Sequence, residues 1–185
     1  MLPVDGRLAL SKPLAKGSSP SGGTLDSLTV ELADAAGSLA NQDLAWLREH
    51  LERAGRVLEA VGSLRIRLVR DAEMAAAHAK YLSDPSPTDV ITFNLAESPW
   101  PACPVDADLL VGLDEAARQA AMRGHPARAE LLLYALHGLL HCLGHDDTSD
   151  AAYDAMHAEE DRVLAAIGVG AVFARPTAGD GWREA

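Results

Sequence analysis

The 185-residue sequence has little of several features that mark whole classes of protein. Aromatic residues make up 4% of the chain, which is too few for a platform on which nucleic-acid bases stack. The two cysteines, Cys103 and Cys142, cannot form a disulfide framework, so we expect reduced thiols and a cytoplasmic location. No apolar run approaches the roughly 18 residues that a membrane-spanning helix needs. The first residues also lack the apolar core of a signal peptide, so we predict neither export nor a membrane partner.

Positive charge is scarce as well. The formal net charge is −11, because 27 acidic residues outnumber 16 lysines and arginines. Proteins that bind polyanions nonspecifically are usually basic, so action on a nucleic acid would need a local patch or a metal ion. We expect no DNA partner. The length and the 48% of hydrophobic residues predict one globular domain that needs neither a disulfide nor a bound metal ion to fold.

The order of sequence patterns predicts an α+β fold. Residues 1–24 are rich in Gly, Ser and Pro and are predicted to be a flexible extension, and residues 169–185 a loose tail. Between them, residues 25–168 are predicted to form a single domain. Alternating apolar residues predict strands, and apolar residues at three- and four-residue steps predict helices. The predicted strands cover 28–32, 64–68, 90–95 and 109–111, and the predicted helices cover 41–61, 71–82, 114–123, 127–143 and 149–167. Early alternation and late helices are typical of an α/β sandwich in which about five helices pack on a small mixed sheet.

The segment HGLLHCLGHDD, residues 137–147, is the most informative part of the chain. His137 and His141 lie four residues apart in a predicted helix, so both imidazoles leave the same face one turn apart. This spacing lets a helix present two nitrogen ligands to one metal ion. The rest of the helix is nearly all apolar, and a buried helix seldom keeps two imidazoles that have no partner. The alternative is a pair of core histidines whose ring nitrogens bind backbone groups.

Three candidates for a third ligand follow the helix. Gly144 can end the helix, and His145, Asp146 and Asp147 come directly after it. A catalytic zinc ion needs three protein ligands and one open position, and two histidines with one carboxylate are an attested set. Cys142 lies about 100° around the helix from His141, which favours a small buried hydrophobic residue over a ligand.

The residue after the first histidine argues against one large class of enzyme. Metalloproteases with the H-E-x-x-H pattern place a glutamate there as general base, whereas this chain has Gly138. Glu130 lies roughly two helical turns earlier on the same side, too far away to replace that glutamate directly. A peptidase of this plan is therefore disfavoured.

The same segment resembles the signature of the YbeY family, which reads H-G-x-L-H-L-x-G-[YH]-D-H. The chain departs from it at Cys142, where the family has Leu, and at Asp147, where the family has the last His. A second segment, residues 87–93 with the sequence PTDVITF, resembles the P-T-D-V-L-S-F loop and strand of the family.

Two further segments extend the resemblance over about residues 28–168. Residues 108–111, DLLV, stand where the family has G-D-I-V-I, and the stretch that begins MHAEE at residue 156 resembles its closing helix. The family comprises metal-dependent, single-strand-specific endoribonucleases that mature ribosomal RNA. The resemblance therefore implies a metallo-hydrolase domain that cleaves single-stranded rRNA, acts in 16S rRNA 3′ end processing and ribosome assembly, and works with the small ribosomal subunit or its assembly factors.

The resemblance also implies roles for individual residues. It makes His137, His141 and Asp147 the metal ligands, with one Zn²⁺ as the expected ion and other divalent metals as alternatives. His145 then becomes a candidate proton acceptor. Leu82 follows Tyr81 where the family usually has an arginine that is thought to hold phosphate.

Charge indicates the side from which substrate approaches. Between residues 146 and 161 there are seven acids and no lysine or arginine, so RNA is repelled from that side. We expect it to come from the 87–93 segment and from the strand with the arginines. The candidate substrate-binding residues are therefore Thr88, Asp89, Arg65 and Arg67, although the arginines could equally be a solvated sheet face.

Three other functions remain open. The first is a metal hydrolase of another substrate class, acting on a peptide or a small molecule. The second is a ribosome assembly factor without catalytic activity, whose metal is structural, which Leu82 and the acidic composition favour. The third is an iron oxygenase with two histidines and one carboxylate, for which the sequence shows no other sign.

Overall fold

Within the part of the chain that the structure describes, four strands and five helices form where the sequence pattern is strongest. The computed structural model describes residues 26–34, 36–83, 86, 88–170 and 172. Its strands are β1 (Leu28–Asp34), β2 (Gly62–Val69), β3 (Val90–Asn94) and β4 (Val105–Gly112). Its helices are α1 (Asn41–Val57), α2 (Asp71–Leu82), α3 (Leu113–Arg123), α4 (Ala127–Cys142) and α5 (Asp150–Ala166).

The strands form one mixed sheet in the order β1-β2-β4-β3. β1 pairs with β2 and β2 with β4 in parallel, while β3 runs antiparallel to β4 at the edge. Ile66 of β2 lies between Leu32 of β1 and Leu109 of β4, which aligns apolar residues across the sheet. The predicted α+β architecture, a small mixed sheet with about five helices, is confirmed.

Alternation along β2 separates the two faces of the sheet. Leu64, Ile66 and Leu68 are buried in the main hydrophobic core, which also contains residues of α1, α4 and α5. Arg65 and Arg67 point to the opposite face, because successive side chains of a strand alternate. A smaller apolar cluster on that opposite face joins α2 to the sheet and consists of Val69, Met74, Ile91 and Leu110.

α4 is buried along most of its length, as predicted for the helix with the two histidines. Apolar residues line several of its sides, so it packs against the sheet, α3 and α5 rather than presenting one stripe. It lies tightly against the sheet at Gly138, opposite Leu109 and Thr92. The depth of α4 therefore determines how the histidines lie relative to β3.

Several element ends differ from the prediction. α1 ends at Val57 rather than 61, and β2 starts at Gly62 rather than 64. A Cβ on Gly62 would lie 2.1 Å from the carbonyl oxygen of Val105, so this glycine serves the close pairing of two strands. α2 begins at Asp71 and ends at Leu82, as predicted. Gly144, with φ 96°, follows α4 as predicted.

The predicted extension at residues 1–24 lies outside the described residues. Of the predicted tail, Val169 and Val172 are buried in the main core, so packing continues beyond residue 168. None of the described helices is both long and apolar enough to cross a lipid bilayer.

Candidate metal centre

The last turns of α4 bring His137 and His141 together. Their Nε2 atoms lie 3.0 Å apart, and the two rings meet edge to face. The four-residue spacing places both rings on one side of the helix, as the sequence predicted. The two nitrogens therefore converge on one point beside the helix.

Each ring is oriented through its other nitrogen. His137 Nδ1 lies 2.7 Å from Glu160 Oε1, and His141 Nδ1 lies 3.1 Å from the carbonyl oxygen of His145. A carbonyl or an ionised carboxylate can only accept, so both Nδ1 atoms donate their hydrogen. In the neutral rings the two Nε2 atoms then carry lone pairs that face each other. Lone pairs at this distance repel unless a proton or a metal ion lies between them, and two Nε2 lone pairs aimed at one point are what a metal ion needs from a histidine pair.

The turn after α4 carries Asp147 towards the histidines. Gly144 takes a left-handed conformation, and the N–H of His145 donates to the carbonyl of Leu140 to close the helix end. Asp146 then accepts the N–H of Asp147, at 2.9 Å, which helps to hold the turn.

Asp147 completes a set of three possible ligands. Its Oδ2 lies 3.6 Å from His137 Nε2, and its Oδ1 lies 3.9 Å from His141 Nε2. Among the described residues, His137, His141 and Asp147 form a group whose ligand atoms all lie within 4.8 Å of one another. A tetrahedral zinc ion with bonds of about 2.0–2.1 Å separates neighbouring ligand atoms by roughly 3.3–3.4 Å. The observed spacings lie on either side of that value, so the residues fit such an ion.

The other sequence candidates lie differently. His145 contributes its backbone carbonyl to His141, and Asp146 uses its carboxylate within the turn. Neither belongs to the group of possible ligands found in the described part of the chain. Cys142 is buried as predicted, and burial raises the pKa of its thiol to about 12.

Glu160 and His157 were not singled out by the sequence analysis. Glu160 is fully buried on α5, where its second oxygen, Oε2, lies 2.6 Å from His157 Nδ1. The available signal was a glutamate in the apolar stripe of α5, four residues after Met156 and ahead of the buried Val163 and Leu164. A charged residue in a buried stripe requires a partner, and here the partners are two imidazoles.

Negative charge around His137 alters its proton affinity. Burial alone would lower the pKa of His137, but the hydrogen bond to Glu160 and the charges of Glu160, Asp89 and Asp147 outweigh it. The pKa of His137 is therefore raised from the ordinary value of a histidine. The same carboxylates that attract a proton favour a divalent cation at this place.

A comparison with known families identifies the chain. The model of the family described as Endoribonuclease YbeY matches residues 31–168, which is most of the chain. The chain belongs to the YbeY family. Many curated relatives match, including the Endoribonuclease YbeY of Halorhodospira halophila, which is 36% identical over 143 residues that cover 75% of this chain and 89% of the relative.

Two further comparisons agree with this assignment. The Endoribonuclease YbeY of Thermobifida fusca is 30% identical over 146 residues, which cover 75% of this chain and 93% of that protein. A solution structure of a Thermotoga maritima protein is similar with a TM-score of 0.52 and 23% identity, over 75% of this chain and 90% of that one. At that identity the likeness concerns the fold, which is the mixed sheet and helices found here.

The described part of the YbeY-like segment, residues 88–93, leads into β3 and includes Asp89, which lies near His137. Asp89 is close enough for its charge to act on His137. Its Oδ1 accepts the hydroxyl of Thr88 and the N–H of Val90, which fixes the carboxylate at the start of β3. Asp89, a predicted substrate-binding residue, therefore lies near the site, and Thr88, the other one in this segment, is hydrogen-bonded to it.

Arg65 and Arg67 are not brought to the histidines. They lie on the sheet face opposite α4, where Arg65 pairs with Asp106 and Asp108, and Arg67 pairs with Glu73. Their positive charges are therefore balanced locally. Their role in substrate binding stays a prediction.

Proposed function

We propose that this protein is an endoribonuclease that cleaves single-stranded RNA at one Zn²⁺ ion held by His137, His141 and Asp147. The observation that carries the proposal is the convergence of two imidazole Nε2 atoms and a carboxylate in a chain of the YbeY family. The relatives of this chain are named as endoribonucleases. Other divalent metals are alternatives to zinc.

In the proposed cleavage reaction, the metal ion and the side chains of the protein have different roles. A bound divalent ion supplies a Lewis acid that polarises a phosphate oxygen and makes water more acidic. The two neutral imidazoles leave the charge of the ion intact, and Asp147 reduces it by one. His145, which directly follows Gly144 in the turn after α4, is the proposed proton acceptor. Thr88 and Asp89 are proposed to contact the substrate from the side of β3.

We extend the proposal to the biological substrate through the family. The substrate is ribosomal RNA, the step is maturation of the 16S rRNA 3′ end in the cytoplasm, and the partners are the small ribosomal subunit or its assembly factors. The net charge of −11 supports a role for the ion here, because an acidic protein needs a local cation to hold a polyanion. The acidic stretch from 146 to 161 supports approach from the opposite side.

The first experiment compares cleavage of a labelled single-stranded RNA by zinc-loaded protein with cleavage by identically purified His141→Ala. We expect the wild type to cut and the variant to be inactive. A duplex of the same sequence is the matched substrate control and should stay intact. Equal cleavage by both proteins would mean a contaminating nuclease and would remove the support for a catalytic site.

A ribosome assembly factor with a structural metal is the second candidate. Leu82 favours it, since this side chain is 47% exposed at the position where YbeY proteins usually carry a cation. The two functions differ in what His141→Ala does to the fold. If the ion is structural, His141→Ala should have a sharply lower melting temperature, and binding of the wild type to the small subunit should require the metal. If the ion is catalytic, the variant should fold but lack activity.

A further inference from the structure

Glu160 occupies an unusual position for an acidic residue. Its side chain is 1% exposed, and it lies on α5 between two histidines. A carboxylate is rarely buried to this degree unless each oxygen has a partner, because removing the charge from water is costly. Oε1 lies 2.7 Å from His137 Nδ1 and Oε2 lies 2.6 Å from His157 Nδ1. Both oxygens are therefore used.

We propose that Glu160 is a positioning residue of the metal centre, which fixes His137 with its hydrogen on Nδ1 and its Nε2 free to bind the ion. We propose further that His157 anchors Glu160 through the second oxygen. The inference rests on the proposed metal site. It goes beyond that site because it assigns roles to two residues outside the ligand set.

The geometry explains why Glu160 needs a hydrogen bond at each of its two oxygens to hold His137 in one orientation. A carboxylate held at a single oxygen can rotate, whereas hydrogen bonds at both oxygens fix its plane. The His157 ring lies nearly parallel to that of His137, with an interplanar angle of 27° and centroids 6.4 Å apart. Tyr153 packs edge-on against His157, which limits the movement of the anchor.

The two ligand histidines are supported by different means. His141 donates to the backbone carbonyl of His145, which side-chain substitution does not remove. His137 depends on a side chain that arrives from another helix. Met156, Val163 and Leu164 fix that helix in the core. Loss of an outer partner of a metal-binding histidine typically lowers metal affinity by about 10–100-fold.

The test is the zinc dissociation constant of Glu160→Gln, measured by competition with a chromophoric chelator. Gln has nearly the same shape, but its amide offers one acceptor oxygen where the carboxylate offers two. We expect zinc to bind about 10–100-fold more weakly. The matched control is Glu159→Gln, which removes the same charge at the next position, where the carboxylate pairs with Arg162. The control should bind zinc as the wild type does, and equal losses in both variants would overturn the proposal.

A second readout reports orientation without any metal. In metal-free protein labelled with ¹⁵N in histidine, at a pH high enough for His137 to be neutral, the imidazole nitrogen shifts give the position of the ring hydrogen. We expect His137 to carry it on Nδ1 in the wild type and to show mixed tautomers in Glu160→Gln. An unchanged tautomer in a folded variant would overturn the inference. Failure of the wild type to bind zinc would instead contradict the proposed metal site, and the tautomer measurement would still decide this proposal.

His157→Ala tests the anchor separately and covers the case in which Glu160→Gln does not fold. It leaves the bond between Glu160 and His137 but frees the second oxygen. We expect zinc binding to weaken by a smaller factor than in Glu160→Gln, with some loss of the Nδ1 tautomer. Wild-type values for both measurements would show that Glu160 needs no anchor.

Discussion

Gly138 and Thr92 lie in such close contact that no side chain fits between them. A Cβ at Gly138 would be 2.7 Å from Thr92 Oγ1 and 2.5 Å from a methyl carbon of Leu109. This contact brings α4 against β3 and β4 beside the two histidines. It also gives a physical reason for the absence of a glutamate at this position, since a side chain would push the helix off the sheet.

Gly138→Ala should therefore lower the free energy of unfolding. Extra atoms in a packed core typically cost about 1–3 kcal/mol, and here the gain in helix propensity of roughly 1 kcal/mol offsets only part of that. Urea denaturation of the metal-free protein measures the change. The double variant Gly138→Ala/Leu109→Ala should lose less stability than the sum of the two single variants, because the smaller residue makes room. Strict additivity would contradict the contact.

Asp147→Asn should weaken zinc binding while leaving the fold intact. Asp147 is exposed and points at both Nε2 atoms, so the substitution removes a charge that would bind the ion but no packing. We expect a loss larger than the about 10–100-fold typical of an outer partner. Asp154→Asn changes the same charge on the exposed side of α5 and is the control. Similar affinity in both variants would remove Asp147 from the ligand set.

The folding stability of the metal-free protein should depend on pH because of His137. Its pKa is raised in the folded state, so protonation of this residue stabilises the fold most fully below the ordinary histidine value of 6.5. That contribution is lost as the pH rises through the raised pKa. With a chelator present, the melting-temperature difference between wild type and His137→Ala should be largest below pH 6.5 and should shrink as the pH rises above that value. A constant difference would contradict the shift.

The two cysteines should differ in reactivity. Because burial raises the pKa of Cys142 to about 12, only about one thiol in 10⁴ is ionised at pH 8. Cys103 is partly exposed. Iodoacetamide should therefore modify Cys103 in the native protein and reach Cys142 only in urea, as followed by mass spectrometry. Native labelling of Cys103→Ser at the rate seen in urea would contradict the burial of Cys142.

The sequence was sufficient for the fold and for the pair of histidines because both depend on local periodicity. Alternation in β2 and the four-residue step from His137 to His141 are properties of one element each. The end of α1 was predicted less well. The strand after it begins at Gly62, which is held by a close contact with Val105 of the neighbouring strand β4, and β4 lies far away in the sequence. Such contacts depend on the packing of two segments and leave no local pattern.

The residue that orients His137 was also not predictable from the sequence. Glu160 reaches His137 across 23 residues of sequence and between two helices, so spacing alone does not connect them. For the two arginines of β2, the sequence suggested a function that their tertiary contacts do not support. Arg65 and Arg67 suggested a patch for RNA, but their partners Asp106, Asp108 and Glu73 come from β4 and α2. Which charges remain unbalanced is decided by tertiary structure.

The place of Glu160 on α5, which follows α4 along the chain, has a consequence for how the protein is made. Chains grow from the N-terminus, so the ribosome releases α4 with both histidines before it completes α5. Until α5 folds back, His137 lacks its carboxylate and either ring nitrogen can carry the hydrogen. We expect the nascent chain to bind the metal ion about 10–100-fold more weakly until α5 has folded back. The site would then reach its full metal affinity only after α5 has left the ribosome.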